Sequence, residues 1–137
     1  MAFIQSVIKN TRSISMQNKA DATATTSGLL YDLTTGALAA ASSSSTRDTI
    51  VGIANQTDAG STGYTQIPVI DLDENDIWLV DSTNNSNVAH NGQAMIVGAN
   101  AGVINNTGTT SAVGVVTQVG VFGATGDKKI LVKFIKP

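Results

Sequence analysis

Short aliphatic runs of alternating pattern, each closed off by glycine, asparagine or threonine, recur along this chain, and that punctuation limits the folds open to it. The clearest run is KKILVKFIK, where Ile130, Val132 and Phe134 alternate with Leu131, Lys133 and Ile135. One face is wholly apolar and the other only partly so, the pattern of a strand lying on a core. Comparable runs predict strands near Leu29 to Leu33, Thr49 to Ala54, Gln66 to Leu72, Ile77 to Asp81, Ala94 to Val97, Val113 to Val119 and Lys129 to Ile135. Between them lie turn residues: TTG at 34–36, AGSTG at 59–63, NN at 84–85, NAG at 100–102, NNTG at 105–108 and GATGD at 123–127. No stretch long enough for a core helix keeps apolar residues at helical spacing. Aromatic residues make up only 4% of the chain, so the core must be built from Val, Ile, Leu and Ala, and β-branched side chains fit a pleated sheet better than a helix. An all-β fold is expected.

The runs also repeat. GLLYDLTTGALAA, TIVGIANQT and GSTGYTQIPVI parallel QAMIVGANAGVIN, SAVGVVTQV and GATGDKKILVKFI, so that Gly36 falls opposite Gly102, Val51 and Gly52 opposite Val113 and Gly114, and Gly63 opposite Gly126. One such unit buries too little apolar surface alone, and pairing two around a shared core is the natural solution. The expected body is a small β-barrel or β-sandwich, residues 28–137, built from two similar three- to four-strand units at about 28–72 and 92–137. Residues 1–27 are expected to form an N-terminal extended segment, an arm followed by the small, polar linker ADATATTSG. Phe3, Ile4, Val7 and Ile8 fit either one helical turn or an alternating strand. That segment either adds a strand to a neighbouring subunit or is the first strand of the protein's own sheet.

Net charge is −2 but unevenly spread. Residues 1–19 carry Lys9, Arg12 and Lys19 with no acid, and residues 128–137 carry Lys128, Lys129, Lys133 and Lys136 with no acid, whereas every acid lies between, with Arg47 the lone base there. If both ends lie on one side of the body, the molecule is electrically polar and docks with a preferred face on an acidic surface; alternatively the lysines only keep an end strand soluble. Nucleic acid is disfavoured, because bases are few and the acidic middle repels phosphate. There are no cysteines, which removes disulfides, thiolate metal sites and cysteine nucleophiles. No apolar run approaches a membrane span, and MAFIQSVIKNTRS lacks the pattern of a secretory signal.

Catalytic constellations are missing from the sequence. His90 is the only histidine, in the turn-like NVAHNG, and no serine elbow or zinc motif accompanies it. In DLDENDIWLVDS, Asp71, Asp73 and Asn75 imitate the opening spacing of a calcium loop, but Asp76 stands where the loop needs glycine and Ser82 where it needs a bidentate glutamate, so a solvated acidic turn is expected. Trp78, the sole tryptophan, lies in IWLV and is expected in the core or a subunit contact rather than as a sugar-stacking platform. Gly120, Gly123 and Gly126 read as a hairpin turn, not a phosphate cradle, and the serine run at 42–45 as a flexible loop. No catalytic residue, metal site or cofactor is expected, and the chain is read as a non-enzyme.

Gly28 to Ala39, Thr49 to Ala54 and Gly60 to Ile70, followed by DENDIWLVDST, NGQAMIVGANAGVI, AVGVVTQVG and KILVKFIKP, together resemble the head decoration, or cement, proteins of tailed bacteriophages. The resemblance runs from about residue 28 to the end and rests on loose Gly and Val patterns; the roughly twenty-five residues before it are extra to the simplest version. It implies a β-rich body on the outer surface of the virion capsid, made in the host cytoplasm and bound to the major capsid protein, as a homo-oligomer with a trimer favoured, without nucleic acid or membrane partners. On that reading Phe3, Ile4, Val7, Ile8, Lys9 and Arg12 are the candidate capsid-contact residues. The alternative is a host-attachment or head-fibre module that binds surface carbohydrate.

Overall fold

The computed structural model describes residues 4–7, 13–33, 35–73, 76–82, 92–98, 103–105, 113–119 and 129–135. These contain no helix, and their strands are β1 (Ile4–Val7), β2 (Ile14–Asn18), β3 (Leu30–Asp32), β4 (Ala39–Ala40), β5 (Ile50–Ala54), β6 (Gln66–Asp71), β7 (Ile77–Ser82), β8 (Ala94–Val97), β9 (Val103–Asn105), β10 (Gly114–Val119) and β11 (Lys129–Phe134). The fold is all-β, as the alternating runs require. All seven strands expected from the sequence are present, β1 forms where the sequence allowed either a helical turn or a strand, and β2, β4 and β9 are additional.

Two sheets are formed, ordered β2-β6-β5-β3-β4 and β1-β7-β11-β10-β8-β9. Apart from β1, the second order is the first repeated: each strand from β2 to β6 has its counterpart five places later, with the same antiparallel neighbours. The equivalent units therefore start one strand earlier than the glycine punctuation suggests, at β2 and at β7. In the second unit β9 also pairs in parallel with the end of β7, Asp81 with Val103 and Ser82 with Ile104, so the five strands close on themselves as a ring. In the first unit the same seam is bridged by one main-chain hydrogen bond, from the Leu38 N–H just before β4 to the Asn18 carbonyl at the end of β2, 2.8 Å.

Alternation sends one set of side chains inward. In the second ring these are Trp78, Val80, Met95, Val97, Ile130, Val132 and Phe134, all almost wholly buried. In the first, Tyr31, Leu38, Ala54, Ile67 and Val69 form a smaller cluster. The opposite face of the first sheet, with Leu30, Ile53 and Ile70, joins the second ring's interior in one continuous core. Arg47 adds a polar tie between the units, donating from Nε to the Ile135 carbonyl at 2.7 Å and from Nη1 to the Ile50 carbonyl at 3.2 Å.

Each ring has one strand glycine where the neighbouring strand leaves no room for a side chain. Gly52 in β5 lies opposite Tyr31 and Asp71, and Gly114 in β10 lies opposite Met95 and Phe134. A Cβ at Gly52 would stand less than 3.0 Å from the Ile70 carbonyl oxygen, and one at Gly114 less than 3.0 Å from that of Lys133. Glycine is required there by space, which is the use of a strand glycine at a tight barrel corner.

Candidate interaction surface

The six residues proposed as capsid contacts are only partly within view. Ile4 and Val7 lie in β1, their backbones paired with Leu79 and Ile77 of β7; Phe3, Ile8, Lys9 and Arg12 lie outside the described residues. The segment read as arm and linker is tied to the body at several points: β1 on β7, β2 on β6, and Thr25 bridged to Asp58. β1 and β11 both pair with β7, which also meets β9 at its end, so strands from both acid-free ends of the chain enter the same sheet. Both run antiparallel to β7 and so in the same direction. On β11, Lys129 pairs with Asp81, and Lys133 is half-buried.

Lys19 does not join that basic surface. Its ammonium is buried and meets Asp58 Oδ2 at 2.7 Å, while Nζ also donates to the carbonyls of Ala20, Asp21 and Thr23 at 3.3, 3.2 and 3.0 Å. Asp58 Oδ1 accepts from the Thr62 hydroxyl at 2.6 Å. The Lys19 hydrogen bond, reinforced by that of Thr62, holds the Asp58 carboxyl below the ordinary carboxylate range against the opposing effect of burial. The pair ties segment 19–25 to segment 56–63, where the Ser61 N–H donates to the Asp21 carbonyl and the Gly63 N–H to Asp21 Oδ1. The sequence marked Lys19 only as one more N-terminal base.

Trp78 is 1% exposed, inside the second ring, so it is no sugar platform. In the acidic segment, Asp71 accepts from the Ser15 hydroxyl at 2.8 Å, Asp73 is exposed, and Asp76 is buried, its N–H donating to the Asp73 carbonyl. That turn is thus only partly solvated. Among the described residues no three His, Asp or Glu side chains are grouped to hold a metal ion. Ser45, within the serine run, is buried against Asp32 and receives the Ser42 N–H, so a hydrogen-bonded turn replaces the expected flexible loop. His90 and Gly120, Gly123 and Gly126 lie outside the described residues.

Among the described residues, the largest exposed apolar side chains are elsewhere. Ile14 and Met16, 54% and 56% exposed, project from the same face of β2, opposite Ile70 and Pro68 of β6, with Tyr64 and Ile135 exposed at other points. No family model matches this chain, and no curated protein does.

Proposed function

We propose that this protein is an auxiliary capsid protein of a tailed bacteriophage, binding the outer surface of the head and strengthening the coat lattice by adhesion rather than catalysis. The sequence resemblance from Gly28 onward suggests it, and one structural observation supports it: the strands that carry the two acid-free ends, β1 and β11, lie on either side of β7. β11 brings Lys129 and Lys133 to the second ring, whereas Asp21, Asp32, Asp48, Asp58 and Asp71 lie in the first ring and its connections. Such a charge axis orients a small body on an acidic coat surface. Many copies each adding a modest interface then stiffen a shell, because the lattice multiplies weak contacts.

The test is cosedimentation with expanded empty heads assembled from the major capsid protein of the same phage. Binding that weakens as salt is raised, together with a higher shell melting temperature, supports the reading. Shells neither bound nor stabilised, or binding only to cells or glycans, would defeat it.

A further inference from the structure

Besides the seam, the two units differ at the outer edge of their first strand, and that difference defines a vacant position among the described residues. Superposing their registers sets Ile14, Ser15 and Met16 of β2 against Ile77, Trp78 and Leu79 of β7, because Ser15 faces Val69 and Trp78 faces Val132, which stand at the same place in β6 and β11. Asn18 and Lys19 then correspond to Asp81 and Ser82. Asn18 accepts the Leu38 N–H where Asp81 and Ser82 pair with β9. Ile77 to Leu79, in contrast, are covered by β1, and Ile14 to Met16 have no equivalent strand among the described residues. The consequence shows in exposure: Ile77 and Leu79 are half-buried, while Ile14 and Met16 are more than half exposed.

The backbone of β2 is set to receive a strand. The Ser13 carbonyl accepts from the Asp71 N–H and the Lys19 N–H donates to the Thr65 carbonyl, so odd-numbered residues of β2 bond to β6. The main-chain groups of Ile14, Met16 and Asn18 therefore point to the other edge, as antiparallel alternation demands. Pro68, which has no N–H to offer, sits opposite Met16 and fits that phase. Sheet edges are ordinarily guarded by lysine, proline, a bulge or extreme shortness. β2 has none of these: it is five residues long, keeps an unbroken register with β6, and carries no charge.

We propose that this edge pairs with the same edge of a second copy of the chain. The β1–β7 pairing supplies the direction, antiparallel, which is also the direction a two-fold axis imposes. An uncharged strand meets itself without opposing like charges. The register follows from the free groups. With Ser15 on the axis, Ile14 of one copy faces Met16 of the other, the N–H and C=O of all four residues are paired, and Asn18 stays with Leu38. The exposed side chains of Ile14 and Met16 then cover each other across the axis. The contact is smaller than the ~1,200 Å² of stable interfaces, so its dissociation constant falls in the micromolar to millimolar range. It is independent of the head-binding reading, since it needs no coat protein.

The test is sedimentation equilibrium of the full chain up to about 1 mM, beside Met16→Pro and Met16→Lys. Proline at 16 removes an N–H directed at the free edge and none directed at β6, so the fold is kept and checked by circular dichroism. A reversible dimer, with a dissociation constant raised about tenfold or more in both variants, is expected. Register is read by oxidation: Ile14→Cys mixed with Met16→Cys links readily, whereas each alone links slowly. A wild-type chain monomeric throughout, a dimer indifferent to both Met16 variants, or faster linkage within either single cysteine variant overturns the proposal.

Discussion

Replacing Gly114 by Ala tests the account of how each ring closes. The added methyl meets the Lys133 carbonyl oxygen and the Met95 methyl, both closer than 3.0 Å. The methionine can swing aside, but the carbonyl belongs to the paired strand, so relief requires β10 and β11 to part. Overpacking of this kind costs about 1–3 kcal/mol, and the upper half applies where the obstacle is main chain. Alanine returns up to about 1 kcal/mol by restricting the unfolded chain, leaving a net loss of roughly 2 kcal/mol. With an unfolding entropy near 2.1 cal/mol/K per residue, a chain of this length loses about 7 °C in melting temperature. Gly52→Ala meets the Ile70 carbonyl in the same way and, with φ at 157°, adds backbone strain, so it should fall at least as far. The control is Gly63→Ala, in open space but with φ at 86°, where the left-handed backbone alone costs roughly 1 kcal/mol, or about 3 °C. Calorimetry of the three variants separates the two mechanisms. If Gly114→Ala melts within about 2 °C of wild type, or no lower than Gly63→Ala, strand approach is not what fixes glycine there.

Three further outcomes follow from the polar contacts. Asp58 has its carboxyl pKa lowered by folding, so its stabilisation is complete above the ordinary value of 3.8 and is lost as pH falls through the lower folded-state value; the melting-temperature advantage of wild type over Asp58→Asn should hold from neutral pH to about pH 4 and shrink below it. Arg47→Ala removes two charge-assisted hydrogen bonds to carbonyls, which at this half-buried site is worth about 1–2 kcal/mol and should appear as faster amide exchange at Ile135. Exchange should also separate the two seams: Leu38, whose N–H makes the single bond between β4 and β2, is expected to exchange well ahead of the interior amides of β11, and equal protection would refute the view that the first ring is closed more weakly.

What could be read from the sequence was whatever placed apolar residues on an inward face. The strands β3, β5, β6, β7, β8, β10 and β11 all announce themselves that way, and Gly52 and Gly114 could be matched before their surroundings were known. β4 has two residues and β9 three, too few for a period to register. β2 was lost for a different reason. In ISMQN the alternation is intact but inverted: Ser15 and Gln17 turn toward the first ring's interior, while Ile14 and Met16 turn to solvent. A reading that assigns apolar faces to a core expects Ile14 and Met16 to be covered, by a neighbouring subunit or by the protein's own sheet, and so does not find a strand that turns them to solvent. Lys19 was missed on similar grounds, since its partner Asp58 is distant in sequence and the carbonyls that surround its ammonium come from a loop whose path no local pattern specifies. Of the six contact residues proposed from the sequence, only Ile4 and Val7 are placed, on β1.

The inversion in β2 and the vacant edge beside it have one physical origin. The first ring is lined along that side by polar groups, with Ser15 bonded to Asp71, Gln17 bonded to Ser15 and Lys19 bonded to Asp58, so an apolar side chain directed inward would strand their donors and acceptors. The apolar residues of β2 must therefore point outward, where β7 has a strand of its own chain to shelter the equivalent pair and β2 has none among the described residues. Leaving Ile14 and Met16 bare on an unguarded edge invites association with other strands, which soluble sheet proteins normally suppress with charge or proline. On the proposed capsid role, uncharged residues there fit a protein whose copies are brought close together: a pairing too weak to persist in dilute solution would become a lateral contact once a shell holds the copies at high local concentration.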